Sequence, residues 1–227
     1  MAPSTQRRDL TRDRIVKAAA TLLRDEGPTA VTTRRVAHEA GLQPPALYRF
    51  FPDKDALLDA AVDHVYAEHV ASKQATAPSP DPVEDLRAGW NMQISFGLSN
   101  PHAFTLLLDP ARARTTPAHA KGLRLLADRV HKIAAAGRLR VPEDHAVNLI
   151  HSAGVGTIHT LLTLPPDQRD PHLPTAAFNA ITQAILNDDQ PPPTDPTTVV
   201  TAFGALVPTL PNLTEAEAAL LAEWLRR

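Results

Sequence analysis

Apolar residues recur along this chain with the period of a helix, and nowhere alternate with polar ones long enough to argue a strand. Residues 11–26 carry Ile15, Ala18, Ala19, Leu22 and Leu23 at i, i+3, i+4, i+7 and i+8 spacing, the stripe of an amphipathic helix. Thr11 is placed to cap its start, and Gly27 followed by Pro28 to stop it. Thr32 or Thr33 caps a second, shorter helix with Val36, Ala37 and Ala40 on its apolar side. Gly41 ends it in the left-handed conformation that other residues adopt only at a cost. A third helix is predicted from about Pro44 to Phe51. A fourth, capped by Asp53, carries Leu57, Leu58, Ala61, Val62, Val65 and Tyr66. After the irregular joint "SKQATAPSPDP" (72–82), helical patterns resume at about 83–99, 101–109, 116–136, 143–163, 174–187, 196–207 and 214–226. Pro-rich breaks at 164–174, 190–196 and 207–212 separate several of them. The expected fold class is all-α.

Composition narrows the functional classes. The 227 residues include 43% apolar ones, enough for a sizeable core, and no run of 18 uninterrupted apolar residues, so no membrane span is expected. There is no cysteine, which excludes disulfides, thiolate metal sites and cysteine catalysis. The polar start "MAPSTQRRDLTRDR" leads into no apolar segment of a secretory signal, so a cytoplasmic location is expected. The net charge of −2 hides an asymmetry: residues 1–54 hold 10 Lys or Arg against 6 Asp or Glu, and the rest hold 13 against 19. A basic N-terminal segment on an acidic body points to a polyanionic partner for that segment.

"AGLQPPALYRFFPDKDALL" (40–58) carries the most chemistry. A helix, a Gly-containing turn and a short helix make a helix-turn-helix. Pro44 and Pro45 open the short helix where the missing N–H groups have no intrahelical partner, so they stiffen its entry. The first residues of a recognition helix are those that meet base edges in the major groove. Leu47, Phe50 and Phe51 are spaced to bury one face, which turns Tyr48 and Arg49 elsewhere. Tyr48 offers a hydroxyl to a phosphate, and Arg49 can neutralise a phosphate or fork onto a guanine. Lys54 sits in the first turn of the next helix, opposing its dipole, a local cost that a neighbouring phosphate would relieve. Spacing alone fits two descriptions: a DNA-reading unit, or a small bundle whose third helix only packs.

The stretch "TTRRVAHEAGLQPPALYRFFPDKDALL" (32–58) resembles the DNA-binding signature of the TetR (tetracycline repressor) family of bacterial regulators. The matching elements are the Thr-x-x-x-Val-Ala start, the Ala-Gly-Leu turn, the Leu-Tyr pair and the aromatic-Pro-x-Lys-x-x-Leu-Leu exit. With "RIVKAAATLLRDEG" (14–27) the likeness covers about residues 10–66. Carried over by position, it implies DNA contacts at Thr33, Arg34, Gln43, Pro44, Pro45, Ala46, Tyr48, Arg49 and Lys54, with Tyr48 and Lys54 as phosphate clamps. Pro45 and Ala46 depart from the family pattern, in which Gly, Ser or Thr is common. They can offer only van der Waals contact, so the operator sequence is not readable. The resemblance further implies a helix-turn-helix domain over residues 9–66 and a ligand-binding and dimerisation domain over residues 67–227. The implied partners are a palindromic double-stranded DNA operator, a second copy of the chain and a small-molecule effector, with no membrane.

The body offers a candidate effector site. Leu86, Trp90, Ile94 and Leu98 lie on one line of a helix, and Met92 and Phe96 on another. A helix apolar on more than one side is buried in a bundle or borders a cavity, and the residues fit both. The resemblance favours the cavity, with Trp90, Ile94 and Phe104 as walls and Asn91, Gln93, His102, His131 and His151 as polar groups. The dimer is expected through helices 143–163 and 174–187. Ala153, Gly154 and Gly156 would allow close approach there, and Ile150, Ile158, Leu161, Leu162, Phe178, Ile181, Ile185 and Leu186 would be buried. The ten histidines suggest no metal: His64 and His69, five apart, share a helix face poorly, and His151 and His159 stand about 12 Å apart along a helix. No hydrolase, zinc-protease or phosphate-loop motif is present, so no cofactor and no catalytic group is expected. The reading is a transcriptional regulator, expected to repress. The competing one is a helical binding protein or enzyme that uses the body's pocket without regulating DNA.

Overall fold

A computed structural model of the chain describes residues 3–187, 196–211 and 213–225. The regular elements among them are helices, with one isolated antiparallel bridge between Leu139 and Leu186. The fold class is all-α, as the periodicity predicts. The described helices are α1 (Pro3–Glu26), α2 (Thr33–Glu39), α3 (Pro44–Leu47), α4 (Lys54–Ala75), α5 (Pro82–Ser99), α6 (Pro101–Leu107), α7 (Pro110–Thr115), α8 (Pro117–Ala135), α9 (Glu143–Leu162), α10 (Leu173–Ile185), α11 (Pro196–Leu206) and α12 (Glu215–Trp224). Most of the expected break at 190–196 lies outside the described residues, as does Asn212 in the break at 207–212. None of the described helices is long and apolar enough to cross a membrane.

The chain divides into two compact units, Met1–Thr76 with Ser99–Gly122, and Ala77–Leu98 with Leu123–Arg227. The first is built on α1 packed along α4, with α2, α3, α6 and α7 around them. Its core is the predicted stripes: Ile15, Ala19 and Leu23 of α1, Val36 and Ala37 of α2, Leu47 of α3, and Leu57, Ala61 and Val62 of α4 are all buried. Each such Ile, Leu or Val contributes about 1.5–3 kcal/mol on leaving water. Polar ties fix the helices further. Arg24 of α1 pairs with Glu68 of α4 at 2.7 Å. The Asp63 carboxylate accepts the Ala118 N–H at 2.8 Å, satisfying a donor that the first turn of α8 cannot satisfy internally. Arg112 of α7 reaches Asp59 of α4 at 3.0 Å.

Two local expectations change. Thr11 is not a cap: α1 begins at Pro3, and the Thr11 hydroxyl donates to the Arg7 carbonyl one turn back at 2.9 Å. The helix continues upstream because residues 6–14 include no Gly or Pro, although they carry no apolar stripe. Helix α7 falls between two predicted segments. Asp109 starts it by accepting the Ala111 N–H, and Pro110 takes its first position.

In the second unit α9 and α10 pack together, and Trp90 of α5 anchors the core. The Trp90 ring meets Phe178 at 5.6 Å between centroids, and its indole N–H donates to the Pro174 carbonyl at 3.1 Å. Asp85 and Arg129 form an ion pair at 3.2 Å with side chains 8% and 13% exposed. Arg140 donates its backbone N–H to Ile185 and its guanidinium to the Gln183 and Ala184 carbonyls, placing a cation on the C-terminal end of α10. Ile150, Ile158, Leu161, Phe178 and Ile185 are buried inside the chain. These residues were expected at a dimer contact, and the intrachain core uses them instead. The outward sides of α9 and α10 carry Ser152, Gly156 and Thr160, and Ala176, Ala180 and Ala184.

Candidate nucleic-acid interface

The interface begins with a cap. The Thr32 side chain accepts the Arg35 N–H at 3.3 Å and starts α2, leaving Thr33 and Arg34 as its first residues. Seven residues later the helix stops in a Schellman arrangement: Gly41 N–H donates to His38 and Leu42 N–H to Ala37, at 3.0 and 2.8 Å. Gly41 has φ +65°, the left-handed value that makes this turn. Arg14 of α1 donates its guanidinium to the Ala40 carbonyl and ties the turn to the first helix. Arg35 holds the other end through a two-pronged ion pair with Glu26, at 2.6 and 2.8 Å. The hydrogen bonds to Arg35 hold the Glu26 carboxyl below its ordinary range, and the same bonds raise Arg35.

Gln43 precedes α3 with no side-chain cap bond, so its exposed amide is not used by the helix start. Pro44 and Pro45 occupy the first helical positions. Regular α-helix ends at Leu47, shorter than predicted. The backbone keeps turning through Phe51, whose N–H reaches the Leu47 carbonyl at 3.0 Å, until Pro52 draws the residue before it out of helix. Leu47 and Phe51 are buried at 0% and 3% exposure and fasten the segment to the core. Phe50 is only half-buried. Pro45, Tyr48 and Arg49 are exposed, and Pro44 and Ala46 partly so. Asp53 accepts the Ala56 N–H at 2.7 Å and starts α4, with Lys54 exposed at its first position.

All nine expected DNA-contact residues therefore fall in the first unit, on α2, at the start of and along α3, on the turn after it and at the start of α4. Among the described residues no carboxylate lies within ion-pair distance of Arg34, Arg49 or Lys54, whereas Arg24, Arg35 and Arg112 of the same unit are paired. The Tyr48 and Thr33 hydroxyls lie 3.3 Å apart, joining the end of the recognition segment to the start of α2. Sequence reading missed this contact, and also the Arg14 and Arg35 braces. Partners 9 to 26 positions apart leave no periodic signal.

The expected effector residues fall in two places. Trp90, Asn91, Gln93, Ile94, His131 and His151 lie in the second unit, where Trp90 and Ile94 are buried and His131 faces the Glu143 carboxylate at 3.3 Å. His102 and Phe104 lie on α6 in the first unit. Phe104 is buried there, and the His102 ring sits against Gly27, 3.0 Å from where a Cβ would be. A groove of about 500 Å³ lies between α1 and α2 and contains none of these residues. Arg14, Lys17, Asp25, Glu26, Arg35 and Glu39 line it. Its charged walls do not suit an apolar ligand.

The chain has relatives of known role. Residues 15–61 match the family described as bacterial regulatory proteins, tetR family. The chain is similar to the tetracycline repressor protein class C of Escherichia coli, with 39% identity over 79 residues, 35% of this chain and 34% of that protein. It is similar to the HTH-type transcriptional repressor DrrR1 of Streptomyces coeruleorubidus, with 30% identity over 120 residues, 50% of this chain and 41% of that one. The matched stretch thus spans between a third and a half of these relatives' length. Among solved structures, that of RolR in complex with resorcinol shares the fold, with a TM-score of 0.65 at 17% identity over 96% of this chain and 95% of that one. Over residues 15–61, then, the chain carries the helix-turn-helix segment described for the tetR family of bacterial regulatory proteins.

Proposed function

We propose that the protein is a DNA-binding transcriptional regulator, a cytoplasmic repressor that acts as a homodimer on a palindromic operator and is released by a small effector. The observation that carries the reading is the recognition segment. It is clamped from behind by Leu47 and Phe51, while Tyr48, Arg49 and Lys54 stand exposed without acidic partners. A rigid face of unpaired cations and a hydroxyl pair is what a duplex backbone selects. In this reading residues 9–66 bind DNA, and Thr33, Arg34, Tyr48 and Lys54 take phosphates. Gln43, Pro44, Pro45, Ala46 and Arg49 face the bases.

Dimerisation is assigned to the outward faces of α9 and α10. Their Gly, Ala, Ser and Thr side chains allow two copies to approach closely, and a Cβ at Gly156 would meet nothing within 4 Å in the single chain. Two-fold protein symmetry then requires inverted half-sites. Selection of bound fragments from the source genome tests the reading. It should return an inverted repeat near a promoter, and a pool with no enriched sequence would count against it.

The effector site is assigned to residues 67–227, with Trp90, Asn91, Gln93, Ile94, His131 and His151 facing the ligand. The RolR complex shows a protein of this fold holding resorcinol, a small aromatic molecule. A true effector should change Trp90 emission in a Trp224→Phe background and also change operator affinity, since equal binding to both states shifts nothing. A compound that alters emission but leaves operator affinity untouched would not be the effector.

A further inference from the structure

Helix α1 is longer than the domain needs. Its first contributions to the core are Ile15 and Val16. Residues 6–14 carry no buried side chain, and Leu10 is 60% exposed. Residues 6–14 are therefore about 13 Å of helix standing outside the core. Helical turns with no buried apolar face gain little from core packing, which is what stabilises most protein helices.

The arginines here are placed relative to the recognition segment. Arg12 lies over the Phe51 ring at 5.3 Å to the centroid, and Arg8, one turn earlier, over the Phe50 ring at 5.9 Å. Phe50 and Phe51 directly follow Tyr48 and Arg49 and stand three to four residues before Lys54. Both arginines are exposed, and among the described residues neither has a carboxylate within ion-pair distance. Asp9 and Asp13 follow each by one position, about 100° around the helix, so they stand on a different face. An arginine stacked on a ring keeps all its N–H donors in the plane of the guanidinium, and the ring contact limits its conformational freedom.

We propose that Arg8 and Arg12, on the first turns of α1, form a second phosphate-binding site for double-stranded DNA beside the recognition segment. The site extends the duplex contact beyond the Tyr48–Lys54 clamp. It reads no bases: it raises affinity for every sequence alike and lengthens the protected stretch of backbone. The inference rests on the DNA-binding reading above.

The test compares the full chain with the Arg8→Ala/Arg12→Ala and Arg8→Lys/Arg12→Lys variants, by titration of the genome-selected duplex over a salt series, with thermal melting of each protein. The alanine variant should lower the slope of log affinity against log salt by about 0.9 per lost phosphate contact, close to two in total. Its preference between operator and mutated operator should stay unchanged, and so should its melting temperature. The lysine variant should keep the slope, because it keeps the charges. An alanine variant with unchanged slope and affinity overturns the site. So does one that loses affinity together with melting temperature while the slope stays the same, since that marks a packing role for the ring contacts. A wild-type chain that binds no duplex would instead overturn the DNA-binding reading, and this site with it.

Discussion

Tyr48 is 55% exposed and its hydroxyl meets that of Thr33, so removing the oxygen alters chemistry without disturbing a core. Tyr48→Phe should lose about 1.5–3 kcal/mol of operator affinity, the range for hydrogen bonds to charged groups, and less than about 0.5 kcal/mol of stability. Operator titration and chemical denaturation would check the two halves, and full affinity in the variant would remove Tyr48 from the clamp. His119 gives a pH prediction. Burial beside Tyr66, at 5.9 Å between rings, pushes its pKa below the ordinary histidine value, and its hydrogen bond to the Ala113 carbonyl opposes this. The folded state thus favours the neutral ring. The contribution is complete above the unfolded-state pKa and is lost as pH falls toward the depressed folded one. The melting temperature should drop as pH falls below about 6.5, the ordinary histidine value, and His119→Gln should flatten that part of the curve. An equally steep drop in the variant would assign the loss to other groups.

Helix contacts set the next scale. Gly97 of α5 lies against Ile158 of α9, and a Cβ there would stand 2.5 Å from Ile158 Cγ2. Gly97→Ala should cost about 1–3 kcal/mol by overpacking, and Ile158→Val in the same chain should recover part of it. Additive losses in denaturant titrations would show that the two residues do not meet. The elements most legible in the sequence are those whose signals are local. Thr32, Gly41 and Asp53 mark helix ends by their own chemistry, and each does so in the structure. The first turns of α1 were not legible, because residues 3–14 lack an apolar stripe. α7 was not either, because a six-residue helix holds too few positions to show a period. At the candidate interface the spacing of Leu47 and Phe51 identified the buried face, which left Tyr48 and Arg49 to solvent. Nothing in the spacing could pair Thr33 with Tyr48.

At the scale of the whole molecule, periodicity says that a face is apolar but not what covers it. Ile150, Ile158 and Phe178 looked suited to a partner copy, yet they close the chain's own core. In the proposed dimer, the small residues on the opposite sides of α9 and α10 meet the second copy. A charged residue at Ala180 should therefore separate the protomers with little effect on the fold. In sedimentation, Ala180→Glu should move as a monomer where the wild type moves as a dimer, and it should bind a full inverted repeat no better than a half-site. A variant that stays dimeric would relocate the contact. α11 and α12 leave Val199, Phe203, Leu206, Leu220 and Trp224 substantially exposed. The most direct test of the central claim is the affinity of the genome-selected duplex for the wild type and for Tyr48→Ala/Lys54→Ala, measured by fluorescence anisotropy across a salt series. Tight, salt-dependent binding by the wild type is predicted, with large weakening in the variant and a slope shallower by at least about one. Equal affinities and equal slopes would show that the recognition segment does not carry DNA binding.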